Sequence, residues 1–207
     1  MREKIKDFII PDGFAVYKPK KIHSRVVAQE SYFTIHSRFK TTDKEALLFM
    51  LEEEKLARDT YEYLDDLWSI NQFSNIKKSE QNHMDAVANL LDKNDISYTI
   101  LPYGEFTNDK LQKLYDQFKT EGVKSKSLAL QIGATIEDLD IVDLKQFISE
   151  TTNLAIIEVF NSLICGSQNH LRSFVKGINN NGDFYTPKYL NQEEYTSIIS
   201  STNQTCN

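Results

Sequence analysis

The stretch FSNIKKSEQNHMDAVANLL, residues 73–91, decides the fold. Phe73, Ile76, Glu80, His83, Val87 and Leu90 recur at steps of three and four, the spacing of one helical face. That face is apolar at both ends and is interrupted in its middle by Glu80 and His83. Residues three apart are neighbours on a helix surface, so these two side chains can aim at one point. A carboxylate and an imidazole on a stripe that must face a core are the informative feature, because buried ionisable groups are rare unless paired or metallated.

The same reading repeats on either side. Upstream, TTDKEALLF (41–49) opens a helix, with Thr42 and Glu45 at capping-box spacing. Its stripe is Leu47, Met50, Glu54, Ala57, Tyr61, Leu64 and Trp68, interrupted at Glu54. Glu52 and Glu53 fall off this stripe and read as solvated charges. Downstream, residues 92–125 form a long connection containing Pro102, Gly104 and Gly122, with a short amphipathic helix through Leu111, Leu114, Tyr115 and Phe118. A third long helix opens near Ser127, with Leu130, Gly133, Glu137, Asp140 and Leu144 on its stripe. A fourth covers about 153–176, with Ile156, Val159, Leu163, Gly166, His170 and Phe174. Gly177 and the NNNG run at 179–182 are expected to end it, leaving an irregular tail. Four long helices with one long crossover between the second and third give an all-α, ferritin-like four-helix bundle, the expected fold class.

Composition narrows the functions. The chain has 207 residues and a formal net charge of −6, which argues against a nucleic-acid partner. No apolar run reaches the roughly 18 residues of a membrane span, so no membrane partner and a cytoplasmic location are expected. Cys165 and Cys206 cannot make a disulfide framework. Cys165 reads as a buried thiol, and Cys206 has no partner in view. Residues 1–40 hold nine Lys/Arg against four Asp/Glu, whereas the remainder carries a net −11. The expected organisation is a basic N-terminal arm over 1–40 outside the bundle, a helical body over 41–178 and a tail over 179–207. The arm offers a route to a homodimer or larger assembly. His23 and His36 lie in it and receive no role.

Each long helix therefore turns a metal-competent side chain inward: Glu54; Glu80 and His83; Glu137 and Asp140; His170. Desolvating an unpaired carboxylate costs several kcal/mol, against about 5–15 kcal/mol of net stability for a domain. Such a cluster must be paired, protonated or metallated. Carboxylate with imidazole suits iron, with manganese or zinc also accommodated. A di-iron carboxylate site takes single Glu residues from two helices and Glu-x-x-His from the other two. Glu54, Glu137 and the 80–83 pair fit that pattern. The fourth helix departs from it, with Ser167 where a Glu would stand and His170 kept. Asp140 is a candidate substitute for the missing carboxylate, against the plainer reading of a surface or cap residue. Plainer readings stand beside the others too: Glu54 held by Arg58, Glu80 and His83 as a hydrogen-bonded pair without metal, and Tyr61 as a core tyrosine rather than a donor orienting a carboxylate.

LLFMLEEEKLARDTY (47–61), SEQNHMDAV (79–87), GATIEDLDIVDL (133–144) and GSQNHLRSFV (166–175) together resemble a bacterial and archaeal ferritin-like domain family of unknown function. More distantly, EKLARDTY (54–61) is similar to the first-helix block of rubrerythrins, placing Glu54 at their ligand glutamate. The resemblance covers about residues 44–190. It implies a four-helix ferritin-like fold with a metal site and does not imply a known reaction; from the residues themselves the expected ligands are Glu54, Glu80, His83, Glu137 and His170, around one or two irons. With two irons, the expected chemistry is reaction with dioxygen or peroxide. The alternative is a non-catalytic helical scaffold with a decayed site.

Overall fold

A computed structural model describes residues 43–206. The basic arm, His23, His36 and the Thr42 cap lie outside the described residues. Among those described there are six helices and no strand. They are α1 (Asp43–Trp68), α2 (Asn71–Lys93), α3 (Asp109–Gly122), α4 (Lys126–Glu150), α5 (Leu154–Asn180) and α6 (Gln192–Ser200). None of them is long and apolar enough to cross a membrane.

Local chemistry sets the boundaries. Side-chain oxygens of Asn108, Ser125, Asn153 and Asn191 accept amide hydrogens at the starts of α3, α4, α5 and α6, satisfying donors that a helix leaves orphaned. α1 turns into α2 through Ser69, which takes a left-handed φ of 50°. α1 packs along α2 and α4 along α5, while α1 also meets α4 and α2 meets α5. α3 occupies the connection between the second and third long helices and packs on α1 and α4.

That connection is tied down by a buried cation. Lys55 Nζ lies 2.6 Å from Asp59 Oδ2 and donates to the carbonyls of Pro102 and Glu105 at 2.9 and 3.0 Å. Glu52 accepts the amides of Thr107 and Asn108 at 2.7 and 2.8 Å. It therefore holds the entry to α3 rather than standing as a free solvated charge.

Two apolar clusters fill the interior. One gathers Tyr61, Leu64, Phe73, Ile76, Leu130, Phe174 and Ile178; the other gathers Leu47, Met50, Met84, Val87, Leu144 and Phe160. On α1, α2 and α5 the chain passes from one cluster to the other through ionisable or small polar residues: Glu53–Glu54, Glu80–His83 and Gly166–His170. A titratable layer thus separates two apolar ends.

The C-terminal expectations need correction. α5 runs through Gly177 to Asn180. A Cβ on Gly177 would stand 2.8 Å from Gln72 Nε2 and 3.3 Å from a Leu130 methyl, so this glycine serves close packing and not helix termination. The turn is made by Gly182, at φ +76°. The tail is not irregular throughout, because α6 follows and buries Tyr195 and Ile198. Asp138 organises the approach to it: its carboxylate accepts the Tyr185 hydroxyl at 2.8 Å and the amide of Leu190 at 2.7 Å. The cysteines are not free either. Cys165 and Cys206 form a disulfide, because the tail folds back along α5, a pairing that 41 residues of separation conceal in the sequence.

Candidate metal centre

The helical register brings five of the six expected residues together. Glu80 is the hub. Its Oε2 lies 2.9 Å from His83 Nδ1, and its Oε1 lies 2.9 Å from His170 Nδ1. Glu54 Oε2 flanks the first imidazole at 3.2 Å, and Glu137 Oε2 flanks the second at 3.4 Å. The rings stack with centroids 5.5 Å apart. Two overlapping donor sets result, Glu54–Glu80–His83 and Glu80–Glu137–His170, each with its ligand atoms within 4.8 Å of one another. Glu80 belongs to both.

The alignment of these atoms is as informative as their distances. Glu54 Oε1, Glu80 Oε1 and His170 Nδ1 are buried and have no partner in hydrogen-bond geometry. On the His170 side the ligand atoms converge without hydrogen-bond alignment, whereas His83 Nδ1 and Glu54 Oε2 are aligned as a hydrogen bond at 3.2 Å. Surrounding groups fix the ligands. His170 Nε2 lies 3.0 Å from Ser79 Oγ, leaving Nδ1 as the inward nitrogen. Tyr61 donates its hydroxyl to Glu137 Oε1 at 2.5 Å. Tyr61 is thus both a fully buried core residue and the donor that orients a carboxylate. Gly166 makes room for His83: a Cβ there would stand 2.6 Å from Nε2.

Charge in this layer is strongly coupled. Burial pushes Glu54 up to about 7 against the pull of His83. Burial and the neighbouring Glu80 likewise raise Glu137 to about 7. Glu80 is the exception: burial works to raise it, but His170 and His83 hold it well below the usual carboxylate range. Burial disfavours the imidazolium of His170, yet Glu80 and Glu137 overcome it and raise the ring to about 10. His83 is raised for the same reason, by Glu54 and Glu80 against burial. Without metal the layer holds itself together as imidazolium–carboxylate pairs around an ionised Glu80.

Asp140 stands apart from both donor sets. Its Oδ2 accepts the Ser167 hydroxyl at 2.5 Å, so the residue in the expected Glu position donates to the carboxylate offered as its substitute. Burial and then Glu54 push the Asp140 carboxyl well up. Arg58 does not hold Glu54; it donates to Asp59 at 2.7–2.9 Å and to Gln81 at 2.7 Å. Glu53 is the residue misjudged from sequence. It is 2 % exposed, and burial followed by the adjacent Asp143 raises it far above the ordinary value. A signal was present: Glu53 lies three residues after Met50 and three before Leu56, so a stripe wide enough to serve two neighbouring helices includes it.

A helical domain, without strands among the described residues, that buries a carboxylate–imidazole cluster is the class that fold and site define. A family model for an uncharacterized protein domain, DUF2202, matches residues 43–202, and the chain belongs to that family. It is 48% identical over 164 residues to the uncharacterized protein MJ0754 of Methanocaldococcus jannaschii, covering 78% of this chain and 89% of that protein. It is also similar to the crystal structure of hypothetical protein MJ0754 from Methanococcus jannaschii DSM 2661. There the TM-score is 0.77 at 43% identity, covering 91% of this chain and 100% of that one.

Proposed function

We propose that this chain is a ferritin-like four-helix metal-binding protein whose centre takes two iron ions. Glu80 would serve both positions, with Glu54 and His83 holding one and Glu137 and His170 the other. The observation that carries this reading is the geometry of Glu80, one oxygen toward each imidazole, with unsatisfied ligand atoms converging on both sides. The charge balance supports it. Glu54, Glu80 and Glu137 place three carboxylates in a buried layer, where divalent cations would balance their charge once His83 and His170 give up their protons. Ser167 leaves the donor set one carboxylate short of the full pattern, its hydroxyl turned to Asp140. Iron bound here would supply redox chemistry toward dioxygen or peroxide. The chain's own residues would hold the ligands in place through Ser79 and Tyr61, while the apolar clusters at both ends keep bulk water out.

The test is anaerobic Fe(II) titration of chelator-treated full-length protein, followed by air, with metal content measured directly. Two irons per chain, weakened at least tenfold by Glu80→Gln, support the reading. One iron per chain with the second position empty restricts it to a mononuclear store. No binding overturns it.

A second reading has an observation in its favour: the imidazolium–carboxylate pairs already satisfy much of the charge without metal. In that case the chain is a helical scaffold with a relic site. Metal addition would then leave the melting temperature unchanged, and Glu80→Gln would destabilise the protein equally with and without added metal.

A further inference from the structure

The tail beyond α6 is held on α5 by three side chains one face apart. Cys165, Asn169 and Arg172 follow the i, i+4, i+7 spacing. Arg172 Nε donates to Asn203 Oδ1 at 3.1 Å, and its Nη1 donates to the Ile198 carbonyl at 3.1 Å and to Ser201 Oγ at 2.9 Å. Asn169 Nδ2 donates to the Gln204 carbonyl at 2.9 Å, and its Oδ1 accepts the Gln204 amide at 3.0 Å. The disulfide closes the strap at its end. The neighbouring face of this turn carries Gly166, against His83, and His170.

The surroundings of the sulfurs are those of a reactive pair. Both cysteines are half-buried, so a small molecule can reach them. Asn169 Nδ2 also donates to Cys206 Sγ at 3.3 Å. Arg172 donates to Asn169 Oδ1 and so polarises that amide. Among the described residues the guanidinium donates to the neutral oxygens of Asn169, Ile198, Ser201 and Asn203. A donor aimed at the sulfur stabilises the Cys206 thiolate and so eases its departure from the disulfide.

We propose that Cys165 and Cys206 are a reversible thiol–disulfide site, closed by hydrogen peroxide and opened by glutathione, that latches residues 201–206 across the α5 turn bearing His170. The inference does not rest on the metal reading. In closing, the Cys206 thiolate attacks one peroxide oxygen; an S–O bond forms, the O–O bond breaks and the leaving hydroxide takes a proton to become water. The Cys165 thiolate then attacks the Cys206 sulfur; the S–S bond forms, the S–O bond breaks and a second water leaves. Two thiols lose two electrons in all, and peroxide gains them. In opening, a glutathione thiolate attacks Cys165 Sγ, the electron pair passes to Cys206 Sγ beside the Asn169 amide, and a second glutathione resolves the mixed disulfide.

The test uses the folded full-length chain equilibrated in glutathione buffers of graded ratio. Thiols are alkylated and counted by intact mass, and amide hydrogen exchange is followed at residues 201–206. The expected result is interconversion of the two states without loss of helical signal. Exchange at Gln204 should be roughly tenfold faster in the open state, and Cys206→Ser should match it in both buffers. Stoichiometric peroxide should restore the closed mass. A bond that opens only on unfolding overturns the proposal, as does reduced protein that peroxide converts to sulfinic acid or cross-linked dimers. Equal exchange in both states overturns the latch. These readouts contain no metal, so their failure leaves the proposed metal centre standing, and the converse.

Discussion

Replacing Glu80 by glutamine keeps the side chain's volume and removes its charge, and the cost can be worked from the structure. His170 is raised from 6.5 to about 10, chiefly by Glu80 and then by Glu137, against burial. A raised imidazole stabilises the fold fully below its unfolded value, and that contribution is lost as pH rises through the folded value. At pH 7 the shift is worth about 4 kcal/mol. Glu80 lies 2.9 Å from the ring and Glu137 lies 3.4 Å from it, so the larger share belongs to Glu80. Glu80→Gln is therefore expected to destabilise metal-free protein by about 2–3 kcal/mol at pH 7. Glu80's own depressed value reports the same interaction and is not added. The assay is urea denaturation of both proteins in chelator at several pH values, with His170 followed by NMR titration. The difference should hold across neutral pH and shrink toward pH 10. A difference under about 1 kcal/mol at pH 7, or a His170 titration unmoved by the substitution, would refute the ion-paired layer.

Three further outcomes follow from the same geometry. Gly166→Ala is expected to cost about 1–3 kcal/mol, since the new Cβ meets a His83 ring already held by Glu54 and Glu80; thermal melting measures it, and pairing with His83→Ala should recover most of the loss. Glu53→Gln is expected to stabilise the protein at neutral pH by about 1 kcal/mol or more. Its carboxyl is raised, a penalty that appears above the unfolded value and grows with pH toward the folded one. Comparative denaturation at pH 5 and pH 8 should show the gain rising. Fe(II) binding at pH 7 should release about three protons, about two from His83 and His170 and about half a proton from each of Glu54 and Glu137. Below pH 7 Glu54 and Glu137 become more fully protonated and the release grows, so affinity should rise with pH. Calorimetry in buffers of different ionisation heat reads the count, and binding that releases no protons would contradict the assigned ligands.

What the sequence determined by itself was whatever depends on periodicity. Steps of three and four located the four long helices and the short one inside the connection, and they put Glu54, Glu80, His83, Glu137 and His170 on inward faces. Helical spacing reports which side chains share a face, and burial follows from that face being apolar. It does not report which helices adjoin. Only the packed structure showed that Glu80 stands between two imidazoles, that Tyr61 serves Glu137, and that Ser167 turns to Asp140. Glu53 escaped because a single stripe was assumed where α1 contacts both α2 and α4. The closure of Cys165 on Cys206 and the docking of α6 were equally hidden, because contacts across long stretches of chain leave no local pattern. Periodicity is a property of neighbours along the chain, whereas a carboxylate set between two imidazoles and a disulfide are properties of neighbours in space.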